Sequence, residues 1–157
     1  MDEELAREVP VFLDAPKQVR ARFRWISKSS IDWAEARLML QTAGDGAPMG
    51  GQIRMTVHKK RIPAKYSFAL LYRNQRVFGL DVNPARGHMN PDTLESIRCT
   101  HWQLWPCTRA EADDRIQSHE RWFREFLKRA KVTFPFRYRP PPDGTEQLEM
   151  EFAPWTS

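Results

Sequence analysis

The sequence has few cysteines and no long apolar run, and each shortage excludes a class of protein. Two cysteines among 157 residues, Cys99 and Cys107, are too few for the disulfide framework of a small secreted domain. No stretch approaches the roughly 18 consecutive apolar residues that a membrane helix needs. The acidic start at residues 1–4 lacks the apolar core of a secretion signal. We therefore expect a cytoplasmic protein that makes no membrane contact.

The composition that remains is that of one folded, basic domain. An apolar fraction of 41% and six tryptophans are typical of a chain that buries an aromatic core. The formal net charge of +5 favours polyanionic partners such as nucleic acids. We expect an N-terminal lead-in at residues 1–17, a single α+β domain at 18–138, and a proline-rich spacer with a terminal interaction peptide at 139–157.

Alternating apolar and polar residues predict a mostly antiparallel sheet. Residues 18–26 alternate, with Val19 and Phe23 on one side and arginines on the other. Residues 73–75 predict the tight turn of a hairpin. Further strands are predicted at 34–40, 53–57, 66–72, 76–82, 99–105 and 132–138.

The segment from Thr108 to about Lys131 predicts one long amphipathic helix. Thr108 and Glu111 have the spacing of a capping box, in which each side chain satisfies a free backbone N–H of the first turn. Apolar residues recur at helical spacing as far as Ala130. The expected fold class is therefore α+β: a mostly antiparallel sheet packed by one long C-terminal amphipathic helix, followed by a proline-rich tail.

Basic residues on one strand suggest a nucleic-acid contact. Alternate residues on a strand face lie about 7 Å apart, which roughly matches the spacing of phosphates along a nucleic acid. The alternative is a solvated sheet face whose counter-charges come from the acidic N-terminus. The predicted nucleic-acid-binding residues are Arg20, Arg22 and Arg24 on this strand, with Lys59, Lys60 and Arg61 as an extension of the patch.

Two histidines near a loop after the hairpin suggest a catalytic site. His88 and His101 could cleave RNA without a metal, one as general base and the other as general acid. Arg86 or Lys65 would then stabilise the phosphorane, and Asp81 would orient a ring. The alternative is that His88 caps the loop and His101 is a half-buried strand residue.

A zinc site is another interpretation of the same region. Cys99 and His101 share a strand face, and Cys107 and His88 would complete a tetrahedron. The chain lacks a CxxC or HxxxH pair, and a free cysteine is commonly part of a core. We therefore predict no metal and no other cofactor.

The stretch 66–105 resembles a family of small bacterial and prophage proteins. The residues that carry the resemblance are R-V-F-G-L-D at 76–81, H-x-N-P-D at 88–92 and H-x-x-L at 101–104. The stretch is also distantly similar to the toxin component of TumE-type toxin–antitoxin pairs. The resemblance implies a toxin-like role in conflict with a phage or mobile element, and a cognate antitoxin as a partner.

The C-terminal peptide resembles the short motif by which bacterial proteins bind the replication sliding clamp. In that motif the glutamine forms hydrogen bonds, and the aliphatic and aromatic side chains fill an apolar groove. A tail beyond a proline spacer can reach such a partner without unfolding the domain. The alternative is one face of an edge strand. The matching residues are Gln147, Leu148, Met150 and Phe152.

Together these features predict a small basic toxin-like or mobile-element conflict protein that acts at nucleic acid and is tethered to the sliding clamp. One alternative is a metal-independent ribonuclease that uses the histidine pair. The other is a non-catalytic inhibitor that binds a protein of a host system. The sequence leaves open whether the protein is an enzyme.

Overall fold

The computed structural model describes residues 2–27, 32–60, 65–83, 100–106 and 109–142. Within these ranges the chain forms nine strands and two helices. In chain order they are α1 (Glu3–Asp14), β1 (Lys17–Val19), β2 (Ile26–Ser27), β3 (Trp33–Thr42), β4 (Pro48–His58), β5 (Lys65–Tyr72), β6 (Gln75–Val82), β7 (His101–Leu104), β8 (Arg109–Ala112), α2 (His119–Arg129) and β9 (Val132–Thr133).

The described strands form one sheet in the order β8-β7-β6-β5-β4-β3-β1-β9, and β2 pairs with a second part of the β3 edge. Neighbouring strands are antiparallel except for β1 and β9, which are parallel. The β5–β6 hairpin turns at Arg73 and Asn74, whose φ angles are 50° and 65°. Positive φ at both central residues matches the twist of the strands that leave a two-residue turn.

Both helices pack on the same face of this sheet. The ring of Phe126 in α2 stacks on Phe68, Phe78 and Trp102, at centroid distances of 5.5, 5.3 and 6.3 Å. Phe12 of α1 lies 4.6 Å from the ring of Tyr72 at the far end of β5. Each fully buried aromatic ring contributes about 2–3 kcal/mol, so this face holds the core.

A buried lysine joins the two helices to the sheet. Lys17 of β1 has 0% relative exposure. Its Nζ donates to the carbonyls of Leu13 and Ala15 at the end of α1, at 3.1 and 2.8 Å, and to that of Ala130 at the end of α2, at 2.8 Å. Burial lowers the pKa of Lys17 to about 8, and the charge of Lys131 acts in the same direction. At neutral pH Lys17 is therefore still protonated and donates to both helix ends.

The prediction of one long C-terminal helix is wrong, and the predicted fold class is wrong with it. The described chain is mostly one large antiparallel sheet with two short helices on one face. Residues 109–112 form β8, and the second helix begins only after Ser118, whose hydroxyl accepts from the N–H of Arg121 at 3.2 Å. The proposed cap Thr108 lies outside the described residues.

Contacts with β7 explain why residues 109–118 are not helical. The Nε1 of Trp102 donates to Asp113 at 3.1 Å, and the N–H of Asp113 donates to the carbonyl of Thr100 at 2.9 Å. Ala112 and Ile116, which belonged to the predicted apolar stripe, are exposed, with Ile116 86% exposed. The sheet edge therefore takes the backbone hydrogen bonds that a helix would have used.

The predicted strand at 18–26 is interrupted. Strand β1 ends at Val19 and β2 begins at Ile26, and the residues between them have no regular structure. Phe23 turns into the core, where its ring lies 6.0 Å from Phe123 and 5.7 Å from Phe134. Packing of one aromatic side chain under the sheet thus overrides the alternation of its neighbours.

Candidate nucleic-acid interface

The other face of the sheet, against which neither described helix packs, carries a row of polar side chains. Cross-strand partners project from the same face of a sheet. Successive partners across β3 to β7 therefore form one polar row. We use the name open face for this row together with the side chains beside it on the same side of the sheet. The members of the row are Glu35, Thr56, Ser67, Asp81 and His101.

Two arginines with solvent-accessible side chains flank the β3 end of this row. Arg37 and Arg54 are cross-strand partners, and their side chains are 52% and 40% exposed. The Nε of Arg37 lies 3.1 Å from one carboxylate oxygen of Glu35, and the Nε of Arg54 lies 3.8 Å from the other. One carboxylate therefore orients two guanidinium groups, and the pair keeps a net positive charge.

Two of the arginines predicted to bind nucleic acid lie next to this pair. A cavity of about 220 Å³ is lined by Arg22, Arg24, Ile26, Glu35 and Arg37, together with the ring of Phe23. The cavity joins the irregular segment after β1 to the open face. The arginines therefore form a cluster around one depression, whereas the sequence predicted a line along one strand.

The remaining predicted basic residues lie at or beyond the edge of this cluster. Arg20 is exposed, and its backbone N–H donates to the carbonyl of Met39 at 2.8 Å. Lys59 donates to the hydroxyl of Ser27 at 3.2 Å, and Lys60 lies 3.0 Å from a carboxylate oxygen of Asp32. Arg61 lies outside the described residues.

Two acids of the N-terminal helix face other partners. Glu4 and Glu8 of α1 lie 3.8 and 3.2 Å from Arg73, and the hydroxyl of Tyr72 donates to Glu8 at 2.7 Å. These contacts are at the helix side of the sheet, where Tyr72 packs against Phe12. The sequence offered the acidic N-terminus as an alternative source of counter-charges for the basic residues. These two acids do not serve that role for the arginine cluster, because they pair with Arg73 and Tyr72.

A second charged group lies at the β7 end of the row. The Oδ2 atom of Asp81 lies 3.2 Å from the Nε2 of His101 and 3.2 Å from the Nη2 of Arg76. Burial of Asp81 acts to raise its pKa, but the hydrogen bond and charge of His101 and the charge of Arg76 outweigh it, so the net shift is downward. Asp81 is therefore a carboxylate in any neutral solution.

A glycine makes the contact of Arg76 possible. The guanidinium crosses the backbone of Gly79, and a Cβ at that position would come within 2.1 Å of Nη2. Real Cβ atoms do not approach a nitrogen so closely, so any larger residue at 79 would displace the guanidinium from Asp81. No sequence pattern signals this arrangement, because Arg76 and Gly79 are three positions apart on a bulged strand.

The structure thus brings together two of the four residues predicted to be catalytic. Asp81 and His101 are in contact, whereas Arg86 and His88 lie outside the described residues. The four residues of the predicted clamp-binding peptide and the two cysteines also lie outside them: Gln147, Leu148, Met150, Phe152, Cys99 and Cys107.

The contribution of β3 to this surface was not predicted. Alternation identifies the apolar residues of that strand, but the intervening positions Trp33, Glu35 and Arg37 received no functional prediction. A strand with one buried face necessarily presents the other set together. The polar half of the alternation is therefore the signal that would have found Arg37, and its pairing with Arg54 follows once β3 and β4 are adjacent.

Comparisons of the chain with protein-family models, curated proteins and solved structures find no match. Among the described residues, no group of three or more histidine, cysteine, aspartate or glutamate side chains is placed to hold a metal ion. No helix of the described chain is long and apolar enough to cross a membrane. A function for the protein therefore has to be inferred from the geometry of the open face.

Proposed function

We propose that the protein binds the phosphate backbone of a nucleic acid on its open face. The observation that supports this best is a cluster of four arginines. Arg22, Arg24 and Arg37 line one cavity with Glu35, and Arg54 lies 3.8 Å from the same carboxylate. The role implied by the sequence resemblance, a toxin-like or mobile-element conflict protein acting at nucleic acid, is compatible with such a surface and remains a prediction.

The chemistry of the cluster suits phosphate. Guanidinium groups donate in a planar fork that matches two phosphate oxygens, and they stay charged at every physiological pH. Glu35 neutralises one of the four charges and holds Arg37 and Arg54 in position, so less side-chain freedom is lost when a ligand binds. An exposed cluster of this kind attracts a polyanion at long range and contacts its backbone without reading sequence.

Fluorescence anisotropy with a labelled oligonucleotide tests this proposal. The double variant Arg37→Gln, Arg54→Gln should weaken binding, and the slope of log affinity against log salt should fall by about 0.7–0.9 for each phosphate that the protein no longer neutralises. The matched control is Arg121→Gln, Arg124→Gln on α2, which removes the same charge from exposed positions on the helix side.

Two outcomes would contradict the proposal. If the two double variants weaken binding equally, overall charge and not the open face is responsible. If wild-type binding does not depend on salt, phosphate contacts do not carry it.

A second candidate function, RNA cleavage without a metal, is favoured by the contact between Asp81 and His101. A carboxylate at 3.2 Å from Nε2 fixes the orientation of the imidazole, which a general acid or base requires. Asp81→Asn should then slow cleavage of a labelled RNA, and the double variant His88→Ala, His101→Ala should abolish it. Full cleavage by that double variant would exclude the ribonuclease.

A further inference from the structure

We propose that the aromatic pair Trp33–His58 on the open face stacks on an unpaired base, so that the ligand of this surface is single-stranded. This inference rests on the proposed function, because the same bound strand must contact the arginine cluster. Three properties of the pair support it: its face of the sheet, its position relative to the arginines, and a half-buried tryptophan that does not pack against the core.

Trp33 projects from the open face. It is the cross-strand partner of His58, and the two ring centroids are 4.8 Å apart at an interplanar angle of 72°. The next residue, Ala34, is fully buried on the helix side, whereas Trp33 is half-buried. Trp33 is not among the described side chains that form or pack against the core. At this angle the edge of one ring meets a face of the other, so each ring keeps at least one face that its partner does not cover and on which a planar group can stack.

The aromatic pair continues the pattern of the arginine cluster. Along β3 the open face presents Trp33, Glu35 and Arg37 in succession, and along β4 it presents partners of the same three rows. The rise per residue of a strand places Arg37 about 13 Å from Trp33. Single-strand-binding surfaces commonly cover about 4–16 nucleotides, so one short strand can contact both.

A duplex cannot use this pair. In a double helix the faces of the bases are stacked on one another, and a protein reaches only their edges in the grooves. In a single strand the faces are available, and aromatic side chains on a sheet are a common way to hold them. An aromatic pair placed beside phosphate-binding arginines therefore distinguishes single strands from duplexes.

The test compares three probes against the wild-type protein: a labelled single strand of about 12 nucleotides, which lies within the usual site size, the same strand with abasic sites, and the corresponding duplex. The abasic strand keeps the phosphates but offers no ring to stack on. We expect it and the duplex to bind about tenfold or more weakly than the intact strand, since one stacked base contributes on that order. Equal affinity for the intact and abasic strands would overturn the inference while leaving the phosphate contact in place.

Two substitutions assign the effect to the pair. Trp33→Leu keeps an apolar side chain but cannot stack, so the difference between intact and abasic strands should disappear. Trp33→Phe keeps a ring and should restore most of that difference. The control is Met39→Ala, which removes a 49% exposed apolar side chain from the same face and should change nothing. A Trp33→Leu protein that still prefers the intact strand would refute the assignment, and failure of all probes to bind would refute the proposed function itself.

Discussion

Replacing Lys17 with methionine should destabilise the protein strongly, because it removes one group that serves two helices. Methionine has nearly the length of lysine and fills the same space. The change in stability therefore reports the loss of the ammonium group and not a loss of side-chain packing. In the structure Nζ is the donor to three carbonyl oxygens, those of Leu13, Ala15 and Ala130, and it lies 4.9 Å from the centroid of Phe12.

The magnitude follows from two opposing effects. A hydrogen bond to a charged group contributes about 1.5–3 kcal/mol, and the variant removes the three that Nζ donates. Against this, the variant no longer buries a charge: the lowering of the Lys17 pKa from 10.5 to about 8 corresponds to a cost of about 3 kcal/mol at neutral pH. The expected net decrease is about 3 kcal/mol of unfolding free energy, or a large part of the stability of a domain of this size.

Urea unfolding followed by tryptophan fluorescence measures this decrease. The matched control is Lys131→Met, which removes the same charge at a half-exposed surface pair with Asp14 and should cost less than about 1 kcal/mol. A decrease below about 1 kcal/mol for Lys17→Met, or equal decreases in the two variants, would refute the role assigned to the buried ammonium.

Three further predictions concern other parts of the molecule. Burial lowers the pKa of His119 from 6.5 to about 3, so the unfolded chain binds a proton that the folded chain excludes. Stability should therefore fall by about 2 kcal/mol from about pH 7 to about pH 5. Urea titrations should show a smaller fall for His119→Gln, and an unchanged fall would contradict this assignment. Gly79→Ala should displace Arg76 and raise the pKa of Asp81, measured by NMR titration of its carboxyl; an unchanged pKa would show that the guanidinium is not displaced. The predicted clamp-binding peptide implies that the full chain captures the sliding clamp and that deletion of residues 145–157 abolishes capture; retained capture would exclude the tether.

The central strands were predictable because their signals are local. The predicted strands at 66–72 and 76–82 match β5 and β6 closely, and those at 34–40 and 53–57 lie inside β3 and β4. Apolar alternation and a tight turn suffice there. The predicted strand at 132–138 is reduced to the two residues of β9, since the aromatic side chains that follow pack under the sheet.

The errors arose where distant contacts decide between two local structures. Residues 109–116 have helical spacing, but the bond from Trp102 to Asp113 draws them to the sheet edge, and no pattern within the segment reveals this. The candidate site shows the same limit. Arg22 and Arg24 were identified from the sequence, whereas their association with Arg37 depends on an irregular chain path that Phe23 sets.

The parallel pair of β1 and β9 has a consequence for synthesis of the protein on the ribosome. Lys17 pairs with Val132 across this ladder, so the first strand of the sheet acquires its outer neighbour only once Val132 has been synthesised. The carbonyl of Ala130 that Lys17 binds also arrives at that point. A nascent chain ending before it holds a charged lysine with an incomplete set of acceptors and an uncovered strand edge. Completion of this edge of the sheet therefore has to wait for nearly the whole described chain, and prematurely terminated products should be targets for chaperones or proteases.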